Sequence, residues 1–263
     1  MSPLRSRIVV SLLLLPVVLG LVYLGGWWLT GLAFAGGLVA LHELYTIARG
    51  LRPLVLAGFT GYVLSIVGVK LGGETWLVLG ILSTLPACFL LFAISSARQI
   101  ATAGFGVTML GVAWVAGGLG FLILLRDLPE HGRLLLFTVL LAVFAGDTAA
   151  FVVGRTLGRH RMAPAISPGK TWEGFAGGTV AAIAVSFFAL YEQEVITPWE
   201  SVWLGLAVAA AAAAGDLFQS AVKRDLGVKD SGRFLGGHGG VLDRLDALLW
   251  AGPVAFAVLL ALT

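Results

Sequence analysis

Apolar residues along this chain do not alternate with polar ones at the period of a sheet or of a surface helix. They run in blocks of about twenty, separated by short polar, charged or glycine-rich breaks. A block of that length is what an α-helix needs to cross the hydrocarbon core of a bilayer. Nine can be drawn, at residues 8–24, 27–47, 54–71, 76–94, 104–125, 134–154, 174–191, 201–219 and 246–262. Each is too long and too uniformly apolar for a strand of a membrane barrel, which would alternate and stop after about ten residues. The pattern predicts an all-α, polytopic integral membrane protein. Arg5 and Arg7 ahead of the first block give it the look of a secretory leader. No small-x-small cleavage site follows Leu19-Gly20-Leu21-Val22-Tyr23, so the block is read as a retained helix.

Nine crossings would put the N-terminus and every second connection on one side. That side holds fourteen of the 17 Lys and Arg residues, and the other holds Lys70, Arg126 and Arg133. The positive-inside rule then places the N-terminus in the cytoplasm and the chain as a multi-pass protein of the cell (inner) membrane. Trp27, Trp28, Trp76, Trp199 and Trp203 fall at expected outer ends and Trp172 at an inner end, as interfacial anchors should, while Trp114 lies mid-segment and is expected to pack.

Composition narrows the function classes. With 59% hydrophobic and 12% charged residues, the chain is no ordinary soluble domain, which carries roughly a quarter charged residues. The net charge of +3 reflects loop topology, and no nucleic-acid partner is expected. A single cysteine, Cys88 in an apolar run, excludes an intramolecular disulfide framework and any multi-cysteine metal site. Small residues such as Ala209 to Ala214, Gly215, Gly117, Gly118 and Gly120 read as close helix packing. By content the chain divides into N-terminal helices, residues 1–130, and a C-terminal half, 131–263, that carries two basic loops at 155–173 and 220–245.

Acidic residues inside membrane segments are costly and point to function. Asp147, Asp216 and Asp246 qualify, with Asp243 just outside the last segment. Asp216 comes near the cytoplasmic end of the eighth segment, and Asp243 and Asp246 come at the cytoplasmic start of the ninth, so all three are expected at one membrane face. If residues 243–246 are helical, their spacing puts both carboxylates on one side, able to share a cation. Carboxylates with few His or Cys nearby favour a hard ion such as Mg²⁺, which commonly bridges to phosphates. Buried ion pairs with Arg224, Arg233 or Arg244 remain an equally good reading of any single aspartate. The loop from Gly232 to Gly240 is rich enough in glycine to bring backbone N–H groups up to an anion, with Lys223, Arg224, Lys229 and Arg233 close in sequence. His238 within it reads more readily as a loop hydrogen-bonder than as a metal ligand.

The other basic loop contains Ser167-Pro168-Gly169-Lys170-Thr171-Trp172-Glu173-Gly174. A nucleotide-binding P-loop would need glycine where this chain has Pro164, so that assignment fails. What is expected instead is a turn at 167–169 leading into a helix near Trp172, whose N-terminal end and Lys170 suit a phosphate. Asp147, about seven residues from the inner end of its segment, lies about 10 Å deep and faces the same cavity or a neighbouring helix. His42 and Glu43 are weaker candidates with an interfacial reading.

Together these residues resemble a family. Ser220, Lys223, Arg224, Lys229, Asp230, Gly232, Leu235, His238, Gly239, Gly240, Asp243, Arg244 and Asp246 keep the spacing of the phosphatidate cytidylyltransferase (CDP-diglyceride synthase) signature. Ser167, Pro168, Lys170, Thr171, Glu173 and Gly174, followed by Gly177 and Gly178, resemble a second hallmark, and Gly146-Asp147-Thr148-Ala149-Ala150 a third. One departure is Gly236, where many members have proline. The resemblance covers roughly residues 140–250. It implies a dimeric, Mg²⁺-dependent membrane enzyme, with a second cation left open, that condenses CTP with phosphatidic acid to give CDP-diacylglycerol and pyrophosphate. Under it, Asp216, Asp243 and Asp246 are the expected metal ligands. Lys223, Arg224, Arg244 and Lys170 hold phosphates with Ser167 and Thr171 as hydrogen-bond partners, and Glu173, Lys229, His238, Gly239, Gly240 and Asp147 complete the substrate site. Two rivals stay open at this point, a CTP-dependent lipid kinase and an ion-coupled transporter, although a transporter would want its acids near the bilayer midplane and only Asp147 is even moderately deep.

Overall fold

A computed structural model describes residues 15–95, 101–193, 195–232 and 239–262. The chain is predominantly helical, with helices α1 (Leu15–Leu24), α2 (Gly26–Ile47), α3 (Val55–Ile94), α4 (Ala101–Arg126), α5 (Gly132–Thr156), α6 (Trp172–Leu190), α7 (Pro198–Asp225), α8 (Leu242–Leu245) and α9 (Leu248–Leu262). One antiparallel hairpin, β1 (Arg161–Ala163) and β2 (Ser167–Thr171), interrupts them between α5 and α6. Among the described residues six helical stretches are long and apolar enough to span a bilayer: α3, α4, α5, α6, α7 and Leu242–Leu262, which takes in α8 and α9. The protein is therefore an all-α polytopic membrane protein. The 40 residues of α3 are broken at Gly72 (φ −145°, ψ 18°) and Gly73 (φ 70°, ψ −150°), between the apolar blocks 54–71 and 76–94. Gly73 takes a left-handed conformation that an L side chain resists, which is why the break falls there.

The turn expected at Ser167-Pro168-Gly169 is not formed. Those residues lie in β2, and the turn falls at 164–166, where Pro164 cannot donate to a strand ladder. Thr171 pairs with Arg161, Ser167 pairs with Ala163, and the Trp172 N–H donates to the His160 carbonyl at 2.9 Å, closing the hairpin base.

Two compact units make up the chain. The first comprises 1–127 and 226–245, the second 128–225 and 246–263. In the first, tyrosine hydroxyls satisfy helix carbonyls across buried interfaces: Tyr62 donates to Ala33 O (2.7 Å) and Tyr45 to Thr108 O (2.9 Å). Each ring lies over a glycine, Gly37 under Tyr62 and Gly58 under Tyr45, where a Cβ would collide with it. This is how helices pack when lipid removes the hydrophobic drive between them: small residues admit close contact and polar groups pair across it. At one end Arg126 donates to the carbonyls of Val22 (3.2 Å) and Tyr23 (2.9 Å), capping α1, and Lys70 pairs with Asp127 at 2.6 Å. Cys88 and Trp114 are buried, while Trp27, Trp28, Trp76, Trp172, Trp199 and Trp203 are exposed.

The second unit is built on glycine seams. A Cβ on Gly174 would come within 2.7 Å of Ala150 O, and one on Gly178 within 2.7 Å of Gly146 O. Gly146, Ala150 and Gly154 on α5 thus face Gly174 and Gly178 on α6 at four-residue spacing, a small-xxx-small contact. Gly205 on α7 abuts the backbone of Ile183, and Gly215 abuts the carbonyl of Asp246 and the ring of Trp250.

Candidate active site

The second unit gathers most of the charged residues singled out above. Lys170, on β2, places Nζ 2.7 Å from Asp216 Oδ2 and 3.5 Å from Ala213 O, so hairpin and α7 are joined by an ion pair. Ser220, one turn on, donates to Asp216 Oδ1 at 3.5 Å. Asp246 lies in the turn between α8 and α9, where its Oδ1 accepts from the Ala247 N–H at 2.8 Å. Asp216, Lys223 and Asp147 are its electrostatic neighbours, and Asp147 in turn has Asp216 and Lys170 within reach. Three carboxylates and two ammonium groups from α5, β2, α7 and the α8–α9 turn therefore converge. The close seat of Gly215 on Asp246 O is what brings α7 near enough to that turn.

The hairpin is fixed by residues expected to bind substrate. The Thr171 side chain caps α6 by accepting from the Gly174 N–H at 3.1 Å. Glu173 accepts from the N–H groups of Arg159 (3.1 Å) and His160 (3.2 Å) and meets His160 Nδ1 at 2.6 Å. Arg224 Nε donates to Ile166 O at 3.3 Å, holding the hairpin turn to the end of α7. Ser167 is half-buried in β2.

A separate arrangement occupies the first unit. Asp243, in α8, uses Oδ2 to accept from the N–H groups of Ser231 (2.9 Å) and Gly240 (3.1 Å). Glu43, one turn before the end of α2 and only 5% exposed, accepts from Val241 N–H (3.1 Å) at Oε1, and from Leu242 N–H (2.9 Å) and Ser231 Oγ (3.2 Å) at Oε2. The N–H groups of Ser231, Gly240, Val241 and Leu242 are thus taken up by the protein's own carboxylates; of the loop expected to offer its N–H groups to an anion, Gly232 to Gly240, residues 233–238 lie outside the described residues. Gly239 has φ +82° and its missing Cβ faces Asp243 Oδ2, so glycine is demanded there by backbone geometry. Lys229 and Arg244 are exposed. His238 and Arg233 lie outside the described residues.

The interfacial reading of Glu43 is corrected, since its side chain is buried, and a lone acid in an apolar helix was a usable signal of that. His42 beside it is exposed, on another side of α2. The condition that residues 243–246 be helical, under which Asp243 and Asp246 would share a helix side, is not met: α8 ends at Leu245, and Asp246 lies in the turn that follows, on the Ala247 N–H.

Among the described residues no group of three or more acids or histidines is close enough to form a preformed metal cage. The donor chemistry nonetheless suits a hard divalent cation. Asp216 and Asp246 offer carboxylate oxygens on neighbouring elements, and the Lys170 ammonium already stands as a cation against Asp216.

The chain matches the profile of the cytidylyltransferase family over residues 5–262. Relatives named phosphatidate cytidylyltransferase include one from Mycobacterium bovis, 35% identical over 280 residues that cover 97% of this chain and 88% of the relative. One from Staphylococcus epidermidis is 33% identical over 258 residues, covering 95% of each chain. One from Bacillus subtilis is 31% identical over 281 residues, covering 98% of each. With its sequence matched over nearly its whole length, this chain belongs to the cytidylyltransferase family.

Proposed function

We propose that this protein is a phosphatidate cytidylyltransferase, condensing CTP with phosphatidic acid to give CDP-diacylglycerol and pyrophosphate. The observation that carries the reading is the near-full-length similarity to relatives of that name, in a chain whose second unit gathers Asp147, Asp216, Asp246, Lys170 and Lys223. The lipid phosphate oxygen attacks the α-phosphorus of CTP in line, the bond to the β,γ-diphosphate breaks, and pyrophosphate leaves. No protein nucleophile is needed. Two anions must meet, so the wall that receives them needs positive charge placed in advance. Lys170 and Lys223 supply it, the first oriented by Asp216. Arg224 and Thr171 act one step back, by holding the hairpin that carries Lys170. Asp216 and Asp246 would hold Mg²⁺, which when bound neutralises charge on the triphosphate.

In this reading the chain crosses the cell membrane nine times, α3 counting as two crossings, with its N-terminus and active site on the cytoplasmic side where CTP is found. The charge asymmetry of the loops supports that orientation. The enzyme works as a homodimer, as its family resemblance implies. The test is purified protein in detergent with phosphatidic acid, Mg²⁺ and CTP labelled in the cytidine. Label entering the lipid phase, and lost with EDTA, is the expected result. Label that stays aqueous while folded protein binds CTP overturns the assignment, and release of CDP instead of pyrophosphate would make the protein a lipid kinase.

A further inference from the structure

We infer that Glu43 is a positioning residue for the reaction, fixing the two ends of the motif that runs from Ser231 to Asp243. The inference rests on the proposed function and extends it into the N-terminal helices, whose sequence carries no part of the motif.

Glu43 belongs to α2 and is buried, yet its carboxylate does not serve α2. Every partner it has among the described hydrogen bonds comes from about 190 residues further on: Ser231 Oγ on one side of the motif, and the N–H groups of Val241 and Leu242 on the other. A buried carboxylate is stable only when donors surround it, and three do so here. The fit is close on both sides. A Cβ on Gly232 or on Gly240 would collide with the Glu43 carboxylate, so the two glycines are shaped to this side chain. Asp243 ties the same ends a second time, through Ser231 N–H and Gly240 N–H. Ser231 is the shared node, its hydroxyl on Glu43 and its amide on Asp243. Residues 231–232 and 239–242 are therefore pinned to one point on α2. Lys229 and Arg244, which belong to the family motif, lie two residues outside these pinned ends.

Glutamine at position 43 keeps the shape but presents an NH₂ group where an oxygen now accepts. One of the donors at Oε1 or Oε2 is left facing another donor, and the ends shift relative to each other. The experiment compares wild-type protein with Glu43→Gln and Ser231→Ala, each purified whole in detergent. Three quantities are read: kcat and KM for CTP with phosphatidic acid present, the thermal midpoint, and amide exchange of peptides covering 231–232 and 239–243. The expected result is a KM for CTP raised about tenfold or more in Glu43→Gln, the scale of one lost hydrogen bond to a charged group. Ser231→Ala should shift KM in the same direction by less, and exchange should speed up in the peptides at both ends. A role confined to folding would lower the active fraction, hence kcat, and leave KM unchanged, and that result overturns the inference. If Glu43→Gln does not fold, Ser231→Ala decides by the same criterion. Should the wild-type protein transfer no cytidylyl group, the function is wrong, while faster exchange at both ends in Glu43→Gln would still show that Glu43 pins them.

Discussion

Replacing Gly215 by alanine tests how the site is assembled. A Cβ on Gly215 would sit 2.5 Å from the carbonyl oxygen of Asp246 and 2.9 Å from Trp250 Cδ1, where ordinary contact begins at 3.4 Å. The indole can rotate away, but the carbonyl is backbone and cannot. Relief therefore requires α7 and the α8–α9 turn to separate by about 0.9 Å, the shortfall between those distances. Overpacking of this kind costs about 1–3 kcal/mol in stability. Its catalytic effect should be larger in proportion, because Asp216 is the next residue on α7 and Asp246 is the group displaced. A misplacement of about 1 Å between reacting groups can lower turnover about a hundredfold. Cytidylyl transfer to lipid, measured as kcat/KM alongside the thermal midpoint, reads both. Gly36→Ala on α2 is the control: no atom lies within 4 Å of its Cβ, so the same chemical change should leave activity untouched. Gly215→Ala with wild-type kcat/KM would refute the claim that this contact sets the spacing of the two carboxylates.

Other outcomes follow from contacts already described. Lys170→Met removes the cation 2.7 Å from Asp216 and should reduce kcat/KM about a hundredfold or more, whereas Lys170→Arg, keeping charge but not shape, should retain a measurable part in the same assay. Asp216→Asn and Asp246→Asn should each abolish Mg²⁺-dependent turnover while the thermal midpoint stays near that of wild type, and near-normal activity in either would remove that carboxylate from the mechanism. Tyr62→Phe leaves Ala33 O without its buried donor and should lower stability by about 1–3 kcal/mol with kcat/KM unchanged, measured by thermal denaturation in detergent. Gly178→Leu should prevent the α5–α6 contact at Gly146 O and yield little folded protein, as judged by gel filtration.

The helices were legible in the sequence because each follows an apolar block, or in α3 two, and block length separates a membrane helix from a barrel strand. Several of the observed helices overrun their blocks at the polar ends. Block 201–219 became Pro198–Asp225, since the final turns carry Lys223 and Arg224, which hydropathy discounts although they are helical. The hairpin at 161–171 was not legible. Its strands are short, and Thr171 is their one β-branched residue, so neither alternation nor β-branched content marks them, and Pro168 and Gly169 argued for a turn. The convergence of Lys170, Asp216 and Asp246 could be anticipated from residue type and sidedness. The anchoring of the motif by Glu43 could not, because its hydrogen-bond partners lie 188 to 199 residues away and no local pattern reports them.

The contact of Glu43 with Gly232 and Gly240 has a consequence for how such a protein can change over time. None of the three positions is free to vary by itself: a methyl group on either glycine meets the carboxylate, and a shorter acid in place of Glu43 leaves buried N–H groups without an acceptor. Single substitutions at any of them should be costly, while a paired change that shortens the acid and fills the glycine should be tolerated better than either change alone. Glu43 and the two glycines thus act as one unit, although about 190 residues of chain separate the first from the others.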